Sequence, residues 1–188
     1  VRPAAQLSRF ERAVLRWLVL PLLTALSASA ADVNLVHDAG FEEPDFHVAW
    51  TNFSPASIGK STNAFSGQYA GAASNRSSTL SGIAQDMRGV FSSGVTYLVS
   101  AWIRVEMPEG VTNQRVQMNM KEDYAGSAVD YTSICNQAIP DHDWIRAAGL
   151  FRYTPTGAEE DLRLYFIGPA TNYTILVDEV SVLGPPNY

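Results

Sequence analysis

Apolar and polar residues alternate along most of this chain with a period of two, and beyond residue 31 no long helical period replaces it. Alternation sends successive side chains to opposite faces, so each stretch must pack its apolar face against another layer. The clearest stretch is 96–105, where Tyr97, Val99, Ala101, Ile103 and Val105 share one face and Leu98, Ser100, Trp102 and Arg104 the other. Over 114–121, Val116, Met118 and Met120 oppose Arg115, Gln117, Asn119 and Lys121. Over 162–167, Leu162, Leu164 and Phe166 oppose Arg163, Tyr165 and Ile167. Further strands are expected over 34–36, 68–74, 81–87, 131–134, 145–153 and 174–183. Gly, Pro, Asn, Asp and Ser break these stretches, and no crossover helix separates them. Closely spaced strands of this kind pair antiparallel. The expected fold is all-β, an antiparallel jelly-roll β-sandwich of about nine or ten strands. It fills one domain over 32–183, with 184–188 as a short tail.

The first 31 residues have another character. Arg2, Arg9, Arg12 and Arg16 precede an apolar run over 17–26, and Ala28-Ser29-Ala30 supplies small residues at a cleavage position. The run is too short to span a bilayer and matches a secretory signal peptide, so export is expected, with no membrane attachment after cleavage. The whole chain has 13 basic and 19 acidic residues; without the four arginines and single acid of the first 31, the balance is 9 to 18, a net charge of −9. Nucleic acid and anionic lipid need clustered cations and are excluded as partners. Neutral glycans and cations remain. Cys135 is the only cysteine, so no intrachain disulfide forms, and its apolar neighbours Ile134, Ala138 and Ile139 mark an inert thiol. A chain of this size buries about 70% of its unfolded surface and needs no staple. A monomer is the expected state.

Little in the chain nominates catalysis. His37, His47 and His142 are the only histidines, and no nucleophile elbow, zinc-protease motif or phosphate loop occurs. Glycoside hydrolysis needs two carboxylates facing across a cleft. Here most acids cluster in turns, at Glu42-Glu43, Glu122-Asp123, 141–143 and 159–161, and a pair such as Glu106 and Glu122 stays open. Glu42 and Asp178 differ, because each lies in or beside an apolar strand where a lone carboxylate is costly to bury. A calcium ion shared by the two, or capping by backbone N–H groups, would remove that cost.

Several segments in order over the chain give it a family likeness. They include Asn34-Leu35, Gly40-Phe41-Glu42, Trp50, Ala64-Phe65-Ser66-Gly67, Asn75-Arg76, Gly82-Ile83-Ala84-Gln85-Asp86, Asp143-Trp144 and Leu164-Tyr165. More specific are Thr96-Tyr97-Leu98-Val99-Ser100-Ala101-Trp102-Ile103-Arg104 and the last strand, Val177-Asp178-Glu179-Val180-Ser181. Together they resemble the carbohydrate-binding module superfamily that groups families four, nine and twenty-two. The resemblance implies a jelly-roll sandwich, a structural calcium at Glu42 and Asp178, and a concave face that binds a β-glucan or xylan chain without catalysis. It also implies a glycoside hydrolase partner encoded elsewhere. The implied cleft holds Tyr165, Arg76, Gln117, Asn119, Phe53 and Tyr124. Two positions depart from xylan-binding relatives: Leu80 stands where a stacking tryptophan is usual, and Ile167 where a glutamate is usual. These departures keep open a structural or adhesion module that has lost its groove, and less so a small glycosidase or lyase. Trp50, Trp102 and Trp144 are expected in packing roles.

Overall fold

The computed structural model describes residues 33–111, 114–140 and 142–184. The signal-peptide reading of 1–31 falls outside them. Ten strands form two five-stranded sheets. They are β1 (Trp50–Phe53), β2 (Ser57–Ser61), β3 (Ala70–Ser74), β4 (Gly82–Asp86), β5 (Thr96–Glu106), β6 (Gln114–Tyr124), β7 (Asp130–Ile139), β8 (Ile145–Arg152), β9 (Glu159–Ile167) and β10 (Thr174–Leu183). One sheet runs β1-β4-β9-β6-β7 and the other β2-β3-β10-β5-β8, so consecutive strands often change sheet. Every pairing is antiparallel. A single turn of 3-10 helix, Phe46–Val48, precedes β1.

The core lies between the sheets and takes the faces expected from the alternation. Val99, Ile103 and Val105 of β5 meet Met118 and Met120 of β6 and Leu162, Leu164 and Phe166 of β9, all without solvent exposure. In β10 a bulge between Asp178 and Ser181 adds a residue, with Glu179 at φ 47°. That extra residue resets the alternation, so Val177 and Val180 both reach the core although three positions apart. Trp50 is fully buried and stacks on Phe41, with ring centroids 4.7 Å apart. Its indole Nε1 donates to the Asp38 carbonyl at 3.0 Å.

Two expected details change. The segment 34–36 is a single bridge, Asn34 to Leu183, rather than a strand. Leu35 N donates to Val182 O at 3.0 Å, and the Asn34 side chain adds to this: Oδ1 accepts from Val182 N at 2.9 Å, and Nδ2 donates to Val180 O at 2.8 Å. β1 and β2 are strands that the alternation does not announce, because Asn52, Ser57 and Lys60 interrupt it.

Candidate functional site

The outer face of the β1-β4-β9-β6-β7 sheet carries a groove of about 560 Å³. It is lined by Phe53, Ser54, Leu80, Gln117, Asn119, Tyr131, Ser133, Tyr165 and Ile167. The pairing register explains why these residues meet. Phe53 pairs with Gly82, Ile167 with Gln117, and Gln117 with Asn136, which makes one row across the sheet. Ala84 pairs with Tyr165, Tyr165 with Asn119, and Asn119 with Ser133, which makes the next. A bulge in β7 between the partners of Met118 and Asn119 keeps Ser133 in that row.

Small residues on β4 shape the floor. Gly82 and Ala84 leave room for Phe53 to lean across β4 onto Tyr165, and the two rings stack at 3.8 Å with 8° between planes. A Cβ on Gly82 would lie 1.8 Å from the Phe166 carbonyl oxygen, so only glycine fits there. Tyr165 is consequently 3% exposed and forms a small apolar cluster with Ala84, Ile167 and Phe53. Burial pushes its phenol up to about 12; the nearby Tyr131 adds to this, and a hydrogen bond from Asn119 opposes it. At neutral pH the phenol keeps its proton. Tyr131 and Leu80, by contrast, are 56% and 62% exposed.

Six of the residues expected in the cleft therefore meet there: Tyr165, Asn119, Gln117, Leu80, Ile167 and Phe53. Tyr165 is part of the floor, with one ring face covered by Phe53. Two expectations are corrected. Arg76 is buried away from the groove and ties loops together. Its Nε donates to Tyr173 O at 3.3 Å, Nη1 to Ser81 O at 3.2 Å, and Nη2 to Pro169 O at 2.6 Å and to Ala170 O. Four carbonyls satisfy a guanidinium that could not otherwise be buried. Tyr124 sits on the inner face of β6, in phase with Met118 and Met120. Its hydroxyl donates to Glu122 Oε1 at 3.0 Å, and burial drives its pKa far up.

Tyr131, Ser133 and Ser54 are the lining residues missed from the sequence. Tyr131 and Ser133 alternate along β7, which was a usable signal once β7 was placed beside β6. Glu106 and Glu122 do not face each other across a cleft: Glu106 is exposed at the end of β5 on the other sheet, and Glu122 also accepts from Thr132 Oγ1 at 2.6 Å. Trp102 and Trp144 lie on the outer face of the second sheet against Phe65, with centroids 3.8 and 6.1 Å from it.

Asp178 is fully buried. Its Oδ2 accepts from Phe65 N at 2.8 Å and Ser66 N at 3.0 Å, and its Oδ1 from Glu179 N at 2.8 Å. Glu42 is exposed, and its Oε1 accepts from Gln68 N at 2.7 Å and Tyr69 N at 3.0 Å. Backbone capping is thus present at both acids, which pin the 62–69 loop from two sides. Among the described residues no three His, Cys, Asp or Glu side chains form a group that could hold a metal. The space over Gly40 is nevertheless acidic: a Cβ there would lie 3.7 Å from Glu179 Oε1, 3.9 Å from Glu42 Cγ and 4.0 Å from Asp178 Oδ1. Burial raises the Asp178 pKa and Glu179 adds to the rise, against the lowering by three amides. Two of these atoms are carboxylate oxygens, and a cation beside them would offset the cost of burying the Asp178 charge.

Comparison with known proteins agrees with the fold. Endo-1,4-beta-xylanase A of Thermotoga neapolitana is 28% identical over 111 residues, which is 58% of this chain but 10% of that protein. The enzyme of the same name from Thermotoga maritima is 26% identical over the same length. The chain thus spans about a tenth of the curated relatives it matches. Among solved structures, the CBM22-1 xylan-binding domain from Paenibacillus barcinonensis Xyn10C superposes with a TM-score of 0.70 at 16% identity, covering 84% of this chain and 98% of that one. The Clostridium thermocellum Xyn10B CBM22-1–GH10 structure with xylohexaose gives 0.69 at 19% identity, covering 84% of this chain and 29% of that one. These likenesses establish a shared fold. The model of the carbohydrate binding domain family CBM_4_9 matches residues 33–172, most of the chain, and the chain belongs to that family.

Proposed function

We propose that this domain binds a neutral polysaccharide of the xylan or related β-glucan class in the groove of the β1-β4-β9-β6-β7 sheet, without catalysis. The observation that carries the proposal is the groove itself. It places a stacked Phe53–Tyr165 floor and an exposed Tyr131 beside the polar side chains of Gln117, Asn119 and Ser133. A pyranose has apolar faces and a hydroxylated rim. Aromatic rings suit the faces, and side-chain amides both donate to and accept from hydroxyls. The xylan preference rests on the xylan-binding domains and xylanases named above. Export, and a place beside a xylan-degrading enzyme, belong to the same proposal. No helix among the described residues is long and apolar enough to cross a membrane.

We also propose that a calcium ion binds over Gly40. Glu42 and Asp178 would hold it together with backbone carbonyls, which would balance the buried Asp178 charge and secure the 62–69 loop. Its role is structural.

The covering of Tyr165 by Phe53 favours one other reading, a structural module whose groove is filled by its own side chains. Calorimetric titration of the full chain with calcium present, against xylohexaose, mixed-linkage β-glucan and cello-oligosaccharides, separates the two. Saturable heat with xylohexaose is expected. No heat with any of the three, from folded protein, would select the structural reading.

A further inference from the structure

The groove is divided lengthwise. Phe53, Leu80, Tyr165 and Ile167, from β1, the 79–81 turn and the end of β9, form an apolar side. Gln117, Asn119 and Ser133, from β6 and β7, form a polar side. Gly168 N donates to Thr79 O at 2.9 Å, which ties the turn carrying Leu80 to the end of β9. No charged residue lines the groove among the described residues. The candidate cation, Arg76, is spent on four carbonyls, and Lys121 on the same sheet is held by Asp161 at 2.6 Å.

From this division, and resting on the polysaccharide reading above, we propose that the preferred ligand is an O-acylated neutral glycan, such as acetylated xylan, and that Leu80 and Phe53, backed by the buried Ile167, receive the ester methyl groups. An unsubstituted chain has hydroxyls along both edges. On the polar edge they find amide and hydroxyl partners. On the apolar edge they are stripped of water without replacement, which is unfavourable. Acylation puts methyl groups on that edge, opposite the exposed Leu80 side chain and the half-buried Phe53 ring, where burial of a methyl is favourable. A carboxylated sugar has no cation to meet there, so a uronate decoration does not fit. The exposed Leu80 side chain therefore sets this preference.

The test is calorimetric titration of the full chain with acetylated xylo-oligosaccharides and with the same material after alkaline de-esterification. Acetylated ligand is expected to bind about tenfold more tightly, the scale on which a small apolar group is discriminated in an apolar pocket. Leu80→Asn, at an exposed position that does not threaten folding, is expected to bring the ratio of the two affinities close to one. Equal wild-type affinities, or tighter binding of the de-esterified ligand, would overturn the acyl preference and leave the polysaccharide reading standing. An acyl preference unchanged in Leu80→Asn would remove this wall from the proposal. Absence of binding to both ligands would overturn the preference and the polysaccharide reading together.

Discussion

Each groove residue owes its position to a neighbour that supports it. Tyr131 is the lining aromatic left most open to solvent, and its ring is the one free to stack on a sugar. Tyr131→Ala is expected to weaken binding by about 1 kcal/mol, roughly fivefold, with thermal stability unchanged. Asn119 both pairs with Tyr165 and lines the groove; Asn119→Ala is expected to lower affinity by about 1 to 1.5 kcal/mol in the same titration. Arg76 gives the opposite pattern. Arg76→Ala leaves four loop carbonyls without their donor and is expected to lower stability by about 3 kcal/mol in urea unfolding. Any loss of affinity should follow from the loops alone. A variant of normal stability that fails to bind would return Arg76 to the groove. The sequence marks Gln117, Asn119 and Tyr165 as outward because alternation alone decides it. It does not show that Phe53 will cover Tyr165, because that contact depends on two small residues of an intervening strand.

At the scale of elements, the long strands β5, β6 and β9 were legible because each carries at least three apolar residues in succession on one face. The short strands β1 and β2 were not, since polar residues and a turn at Ser54-Pro55 hide their period. Tyr124 could have been excluded from the cleft by the same rule, being in phase with Met118 and Met120. The bulge in β10 could not be read from alternation, because it is the alternation that it breaks. β4 is the element on which the site most depends. Gly82→Ala would drive a methyl into the Phe166 carbonyl and force β4 and β9 apart at the groove floor. A loss of about 2 to 3 kcal/mol is expected, read as a lowered melting temperature, together with weaker glycan binding.

The described residues form a sandwich in which Asn34 bridges Leu183 of β10, and the acids of the chain outnumber its bases. Its alkaline limit follows from buried phenols. Tyr124, Tyr153 and Tyr165 are all raised above the ordinary value of 10.0, mainly by burial. Lys121 is raised by its hydrogen bond to Asp161. The folded state keeps these protons while the unfolded chain sheds them from about pH 10, so the stabilisation is complete below that pH and is lost as pH rises through the folded values. The urea midpoint is expected to fall between about pH 8 and pH 11, and to fall less in Tyr124→Phe; equal midpoints would contradict the assignment. For the calcium proposal, a melting temperature that drops on chelation and recovers with added calcium is expected. A temperature indifferent to chelator would leave amide capping as the full account of Glu42 and Asp178.

The central claim is that one sheet face is the binding face. Amide chemical-shift mapping of the full chain during titration with xylohexaose tests it most directly. The account predicts shifts at Phe53, Asn119, Ser133 and Ile167, with little change along β3, β5 and β10. Shifts confined to the β2-β3-β10-β5-β8 sheet, near Phe65, Trp102 and Trp144, would contradict it.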